Sequence, residues 1–155
     1  MPVSAPARFS YRGDPAVPAF PDQVPLVVYD GVCGLCSGWV RFILARDGAR
    51  ERHRFASAQS PLGQALYRHY GYDPSDPETL LVIEDGVMHA KRSAVAAVLA
   101  GLGRPWSLFA HAVNLIPSRA AERAYDLVAR NRYRIGYRAA ACIPPPPGTA
   151  SRFLG

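Results

Sequence analysis

Apolar positions follow two different patterns that alternate along the chain. Residues 26 to 29 are continuously apolar and partly β-branched, which predicts a strand covered on both faces at the centre of a sheet. The next apolar positions recur at helical spacing and predict a first helix from about Cys33 to Asp47, ended by Gly48. The apolar side of this helix consists of Cys36, Trp39, Val40, Ile43 and Leu44.

Three further strands and a second helix are predicted next. Residues 52 to 56 roughly alternate between polar and apolar and predict a second strand, after which Ser60-Pro61 begins a second helix. Residues 79 to 83 form the clearest strand pattern in the chain. The turn Glu84-Asp85-Gly86 lets residues 87 to 91 pair antiparallel with that strand.

Helical patterns dominate the C-terminal half. Ser93 is expected to cap a third helix, and two more helices are predicted over residues 106 to 115 and 118 to about 132. Four consecutive prolines at 144 to 147 end regular structure. The inward face of the last long helix is predicted to consist of Ala121, Ala124, Tyr125 and Val128.

The element order β-α-β-α-β-β-α, with two cysteines at the start of the first helix, is that of the thioredoxin-like fold. We therefore predict an α/β thioredoxin-like three-layer sandwich with extra C-terminal helices. Residues 1–24 contain five prolines and no periodicity, which predicts an extended or disordered leader outside the fold. The domain is expected to span residues 25–143, followed by a proline-rich tail over residues 144–155.

Length and composition fit a single globular domain. The chain has 155 residues, of which 49% are hydrophobic and 19% are charged. Its N-terminus lacks a signal-peptide pattern, and no apolar stretch approaches the roughly 20 residues that a membrane helix requires. We expect a cytoplasmic protein without membrane insertion, in a compartment that keeps most thiols reduced.

The positive charge is concentrated at the C-terminal end. Of a net charge of +6, residues 119 to 155 contribute +5, because they hold seven arginines against Glu122 and Asp126. A solvated helix face is the simplest explanation. No nucleic-acid motif matches, so nucleic acid is not an expected partner. A basic interaction module with the thiols as a redox switch stays an alternative.

The pair Cys33 and Cys36 stands at a strand-to-helix junction and favours thiol-disulfide chemistry. Unpaired backbone N–H groups and the helix dipole at a helix start favour an anion, so Cys33 is the predicted attacking thiolate. Cys36 lies one turn further along the same helix face and is predicted to resolve a mixed disulfide. The partners would be a protein or small-molecule disulfide and a thiol reductant, with no cofactor.

Asp30 precedes this pair and has two possible roles. Its negative charge opposes thiolate formation at Cys33, so it is not a simple activator. It either accepts a proton from Cys36 when that thiol attacks, or bonds the backbone N–H groups of the turn before Gly31. Both interpretations stay open.

A zinc-binding or scaffold module is the main alternative from another functional class. It would use Cys33, Cys36, Cys142 and one histidine as ligands. Structural zinc sites usually contain two close pairs of ligands, whereas this chain has one pair. The four histidines are scattered without ligand spacing.

Several of these motifs resemble the DCC family of predicted thiol-disulfide oxidoreductases. The family pattern Asp-Gly-x-Cys-x-x-Cys is formed here by Asp30, Cys33 and Cys36, and the run Arg-Asn-Arg-Tyr-Arg at 130–134 matches as well. The likeness covers residues 25 to about 147 and implies a thioredoxin-like fold with disulfide-exchange activity on an undefined substrate. Thioredoxins place a cis-proline where this chain has Glu78, so their peptide recognition does not carry over.

Overall fold

The computed structural model describes residues 6–154, and a four-stranded mixed sheet lies at its centre. The strands are β1 (Leu26–Tyr29), β2 (Arg54–Ser57), β3 (Leu81–Glu84) and β4 (Val87–Ala90). Their order across the sheet is β2-β1-β3-β4. Strand β1 pairs parallel with β2 and antiparallel with β3, which in turn pairs antiparallel with β4. The predicted hairpin is therefore confirmed.

Helices cover both faces of this sheet and confirm the predicted thioredoxin-like three-layer arrangement. They are α1 (Gly34–Asp47), α2 (Pro61–His69), α3 (Arg92–Gly101), α4 (Trp106–Leu115), α5 (Ser118–Arg130) and α6 (Arg132–Ile135). Ser60 caps α2, since its hydroxyl accepts a bond from the Gly63 N–H at 3.1 Å. The prediction that Ser93 caps α3 is wrong, since Ser93 lies inside the helix. Its hydroxyl accepts a bond from the Ala90 N–H at 3.1 Å and donates one to the Ala90 carbonyl at 2.8 Å.

Strand β1 is buried on both faces, as its continuous apolar run predicts. Leu26 and Val28 belong to the cluster that packs against α2, on one side of the sheet. Val27 and Tyr29 belong to the opposite cluster, which packs against α1 and α3. Because successive side chains of a strand point to opposite faces, β1 contributes to both clusters and lies inside the molecule.

The described part of the leader, residues 6–24, packs on the sheet, which differs from the expected disordered segment. Tyr11 is 3% exposed, and its hydroxyl donates to Asp22 at 3.0 Å. The backbone N–H of Phe9 donates to the Gly86 carbonyl at the β3–β4 turn. The segment contains several prolines and its apolar residues have no periodicity, so the sequence pattern does not show the burial of these aromatic side chains. Residues 1–5 lie outside the described part.

The proline-rich tail also returns to the domain. The Arg152 guanidinium is buried, pairs with the Asp47 carboxylate and donates to the His53 carbonyl at 3.1 and 3.2 Å. The Leu154 N–H donates to the Phe55 carbonyl at 2.7 Å. A buried ion pair therefore anchors the end of the chain beside β2.

Helix α5 does not pack closely on the core. Of its predicted inward residues, Ala121 is buried, whereas Ala124 is exposed and Val128 is 45% exposed. The side chains on this face line an open cavity, described below. Within residues 6–154, no helix is long and apolar enough to cross a membrane.

Candidate redox site

The two thiols of the predicted pair lie at the junction of β1 and α1. Strand β1 ends at Tyr29, a tight turn follows, and Cys33 occupies the N-cap position of α1 with an extended backbone. The Cys33 Sγ accepts a bond from the backbone N–H of Cys36 at 3.3 Å, as a capping side chain does. The sulfur is therefore held where helix N–H groups point.

These bonds favour the thiolate at Cys33. The hydrogen bond from the Cys36 thiol, aided by the backbone N–H groups of Cys36 and Leu35, lowers the pKa of Cys33 to about 7. Burial and the negative charge of Asp30 oppose this shift. The side chain is fully buried, at 0% exposure. Cys33 is thus a buried sulfur that is partly ionised near neutral pH.

The surroundings of Cys36, in contrast, favour the protonated thiol. Its hydrogen bond to the Cys33 sulfur, together with burial and the negative charges of Cys33 and Asp30, raises its pKa far above the ordinary thiol value. Arg132 is a smaller opposing influence. The Cys36 side chain is only partly buried and lies on the wall of the cavity. When Cys33 ionises, the remaining proton of the pair therefore stays on Cys36.

Asp30 is the centre of a buried hydrogen-bond network behind the thiols. It is 1% exposed, and its Oδ1 accepts bonds from Gln59 Nε2 at 2.8 Å and from the Val32 N–H at 3.2 Å. Its Oδ2 accepts bonds from the Tyr133 hydroxyl at 2.5 Å and Arg132 Nε at 3.3 Å. Both carboxylate oxygens are fully engaged, and the charge is paired, as a buried carboxylate requires.

The geometry bears on both interpretations of Asp30. The bond to Val32 is the turn contact expected of an aspartate in this position. Its charge raises the pKa of Cys33 and of Cys36, which is the direction expected from electrostatics. A role as proton acceptor for Cys36 remains a prediction.

Sequence reasoning did not place Arg132 in the site. Its guanidinium is 5% exposed and also pairs with Asp76 at 3.1 Å and Glu78 at 3.8 Å. The charge pattern grouped the C-terminal arginines as a solvated face, and Arg134 is indeed exposed. The signal that could have identified Arg132 and Tyr133 is their place in the Arg-Asn-Arg-Tyr-Arg run shared with the DCC family.

A C-terminal strap, residues 137–143, crosses the cysteine loop. The Gly34 N–H donates to the Tyr137 carbonyl, the Ala139 N–H to the Val32 carbonyl and the Ile143 N–H to the Gly31 carbonyl, each at 2.8 Å. A side chain at Gly34 would meet the Tyr137 ring, because a Cβ there would lie 2.5 Å from it. The strap therefore requires glycine at this position, and it bonds to the backbone on both sides of Cys33.

The strap also carries Cys142 to the site. This exposed thiol lies 3.8 Å from Ser57 Oγ and 3.9 Å from Gln59 Oε1, and a Cβ at Gly31 would be 3.2 Å from its sulfur. Residues 6–154 contain no group of three or more His, Cys, Asp or Glu side chains placed to hold a metal ion. The zinc-site alternative gains no support from this geometry.

An apolar cavity of about 700 Å³ opens beside Cys36. It lies between α1, α3 and α5, and the strap residue Tyr137 forms part of its edge. Its apolar wall includes Trp39, Phe42, Leu80, Val95, Val113 and Val128. We refer to this space as the apolar cavity.

Comparison with known proteins agrees with the arrangement of the thiols. A family model described as DCC1-like thiol-disulfide oxidoreductase matches residues 27–138. The chain belongs to this family. The uncharacterized protein YuxK of Bacillus subtilis is 34% identical over 135 residues, which are 86% of this chain and 97% of that protein. A DCC family protein of Arabidopsis thaliana, named as chloroplastic, is 32% identical over 122 residues, or 78% of this chain and 70% of that protein. No solved structure matches significantly.

Proposed function

We propose that this DCC1-like protein reduces disulfides by cycling Cys33 and Cys36 between dithiol and disulfide, with Cys33 attacking and Cys36 resolving. The observation that carries the proposal is the Cys33 sulfur at the N-cap of α1, bonded by the Cys36 N–H at 3.3 Å. A thiol pKa of about 7 keeps much of Cys33 ionised near neutral pH, and the thiolate is the reactive form.

The reaction balances without a further co-reactant. The Cys33 thiolate attacks one sulfur of the substrate disulfide, forms a mixed disulfide and displaces the other sulfur as a thiolate, which takes the proton of Cys36. The Cys36 sulfur then attacks Cys33, closes the Cys33–Cys36 disulfide and releases the second substrate thiolate to be protonated by water. Two electrons pass from the protein to the substrate. Two electrons from a dithiol reductant regenerate the pair.

Access to Cys33 requires the strap to move. The Cys33 sulfur is buried, and the strap bonds to the backbone at Val32 and Gly34. Gly136 and Tyr137 form part of the cavity edge, while Tyr137 and Ala139 make the backbone bonds to Gly34 and Val32. A substrate that enters beside Cys36 therefore contacts the part of the strap that covers Cys33.

We further propose that the protein is cytoplasmic, that its substrate is a protein disulfide, and that another thiol system supplies the electrons that regenerate the pair. In such a compartment the pair rests as the dithiol, the form ready to reduce a substrate. It also includes Asp30 as a member of the site that holds the cysteine turn through its bond to Val32.

Turnover of a model protein disulfide tests the chemistry. We expect Cys33→Ser to abolish reduction, since the hydroxyl is not ionised at neutral pH, and Cys142→Ser to retain it as a control that removes a different thiol. Cys36→Ser should accumulate a mixed disulfide at Cys33, visible by mass spectrometry. Retained reduction in Cys33→Ser would exclude the mechanism, and zinc in protein purified without chelator would favour the metal-binding alternative.

A further inference from the structure

The apolar cavity offers few free polar groups to a ligand; one is the buried Nε1–H of the wall residue Trp39, which has no hydrogen-bond partner among the described residues. Three polar side chains of its wall are already engaged. The Tyr125 hydroxyl accepts a bond from the Leu80 N–H at 2.8 Å, and Arg92 donates to the Ile116 carbonyl at 2.9 Å. Arg132 is paired with Asp30. A charged or strongly polar occupant would lose its hydration without compensation, so the cavity selects apolar groups.

The cavity is open on the side of α5. Ile116, Val128 and Tyr137 line it and are also exposed to solvent, at 44%, 45% and 58%. A pocket for a small ligand usually encloses most of that ligand, whereas an exposed apolar surface next to a cavity marks a contact with another protein. The volume of about 700 Å³ is large enough for more than one apolar side chain.

The charges beside this opening give the occupant a second property. The exposed residues Arg134 and Arg138 lie on either side of the lining residues Gly136 and Tyr137 in the sequence. The carboxylates of Asp76 and Glu78 pair with the buried Arg132 at 3.1 and 3.8 Å. The two exposed arginines therefore bring positive charge to the strap side of the opening, and acidic side chains of a partner would be attracted to it.

We propose that the apolar cavity binds the substrate itself: a polypeptide segment whose disulfide-bonded cysteine lies next to large apolar side chains, with acidic residues beyond them. Cys36 forms part of the cavity wall, so a disulfide that enters the cavity lies beside the thiol pair. Helix α5, which forms one side of the cavity, lies outside the β-α-β-α-β-β-α core, so recognition depends on the C-terminal extension. This inference rests on the proposed reductase function and adds its substrate class.

Two synthetic peptides of equal length and net negative charge test the substrate class. Each contains one disulfide-bonded cysteine, flanked by leucine and phenylalanine in one peptide and by serine and glycine in the other. We expect kcat/KM to be about tenfold or more higher for the apolar peptide, because burial of its apolar side chains in the cavity stabilises the complex. An aromatic disulfide of low molecular mass serves as the small-ligand arm.

A matched pair of variants localises the preference. Val128→Arg places a charge in the cavity wall, whereas Leu127→Arg makes the same kind of change on the next residue of α5, which does not line the cavity. We expect Val128→Arg to abolish the preference for the apolar peptide and Leu127→Arg to keep it. Circular dichroism and the pH titration of Cys33 check that both variants retain the fold and the thiol pair.

The outcomes separate this inference from the proposed function. If the wild-type protein reduces neither peptide nor the small disulfide, the reductase function itself is wrong. If it reduces both peptides equally, or if Val128→Arg lowers both rates by the same factor, the function stands and the cavity is not the recognition site. A lower kcat/KM for the small aromatic disulfide in Val128→Arg, with both peptide rates unchanged, would assign the cavity to a small ligand and overturn the proposal.

Discussion

At the residue scale, the reactivity proposed for Cys33 depends on the hydrogen bond that its sulfur receives from the Cys36 thiol. Cys36 donates its thiol and its backbone N–H to Cys33, and these bonds outweigh the burial and the nearby Asp30 charge that oppose ionisation. The rate of attack should therefore rise with pH as Cys33 loses its proton through about pH 7, and level off above that. The sequence predicted activation of Cys33 by the backbone N–H groups of the helix start, and the structure adds the hydrogen bond from the Cys36 thiol as the larger cause.

Removing the donor should reverse this shift. In a Cys142→Ser background, Cys36→Ala is expected to raise the pKa of Cys33 toward the ordinary thiol value of about 8.5, because the thiol hydrogen bond is its largest stabilising influence. Cys36→Ser keeps a hydroxyl donor and should raise it less. Ultraviolet absorbance of the thiolate across pH measures both. An unchanged titration in Cys36→Ala would show that the helix start alone sets the pKa.

At the element scale, the short helix α6 holds the turn that carries the thiols. Its Arg132 and Tyr133 reach the Asp30 carboxylate, one hundred residues earlier in the chain, and the strap that follows α6 bonds to the same turn. The charge pattern of this segment is typical of a solvated surface. Arg132 is buried because α6 packs against α1.

Loss of this pairing should be costly. Arg132→Met leaves the Asp30 carboxylate buried and partly unpaired, which is expected to lower the free energy of unfolding by about 3–5 kcal/mol. The control Arg134→Met changes an exposed arginine of the same helix and should shift it by about 0.5 kcal/mol or less. Denaturant unfolding measures both. A double variant, Arg132→Met with Asp30→Asn, should recover part of the loss, and equal stability of the two single variants would contradict the role of Arg132.

At the scale of the whole molecule, the described segments near both ends, residues 6–24 and 144–154, belong to the folded unit. The segment that contains Tyr11 covers one face of the sheet, and the tail reaches β2 through Arg152 and Leu154. These segments extend the core beyond the elements that periodicity predicts, because irregular backbone leaves no repeating pattern in the sequence.

A single substitution distinguishes a packed leader from a disordered one. Tyr11→Ala removes an almost fully buried ring and is expected to destabilise the protein by about 3–5 kcal/mol, the usual range for loss of a buried aromatic side chain. Arg8→Ala, at an exposed position of the same segment, should leave the thermal midpoint nearly unchanged. Equal midpoints for the two variants would mean that the segment contributes nothing to stability.

Local patterns were enough to predict the order of the elements, the β3–β4 hairpin and the position of the thiol pair, because periodicity, turn residues and helix starts are local properties of a chain. Tertiary structure alone decided what surrounds the thiols. The pairing of Asp30 with Arg132, the strap over Cys33 and the cavity beside Cys36 join segments far apart in sequence. Such contacts depend on how helices pack, and neither charge pattern nor residue spacing encodes that packing.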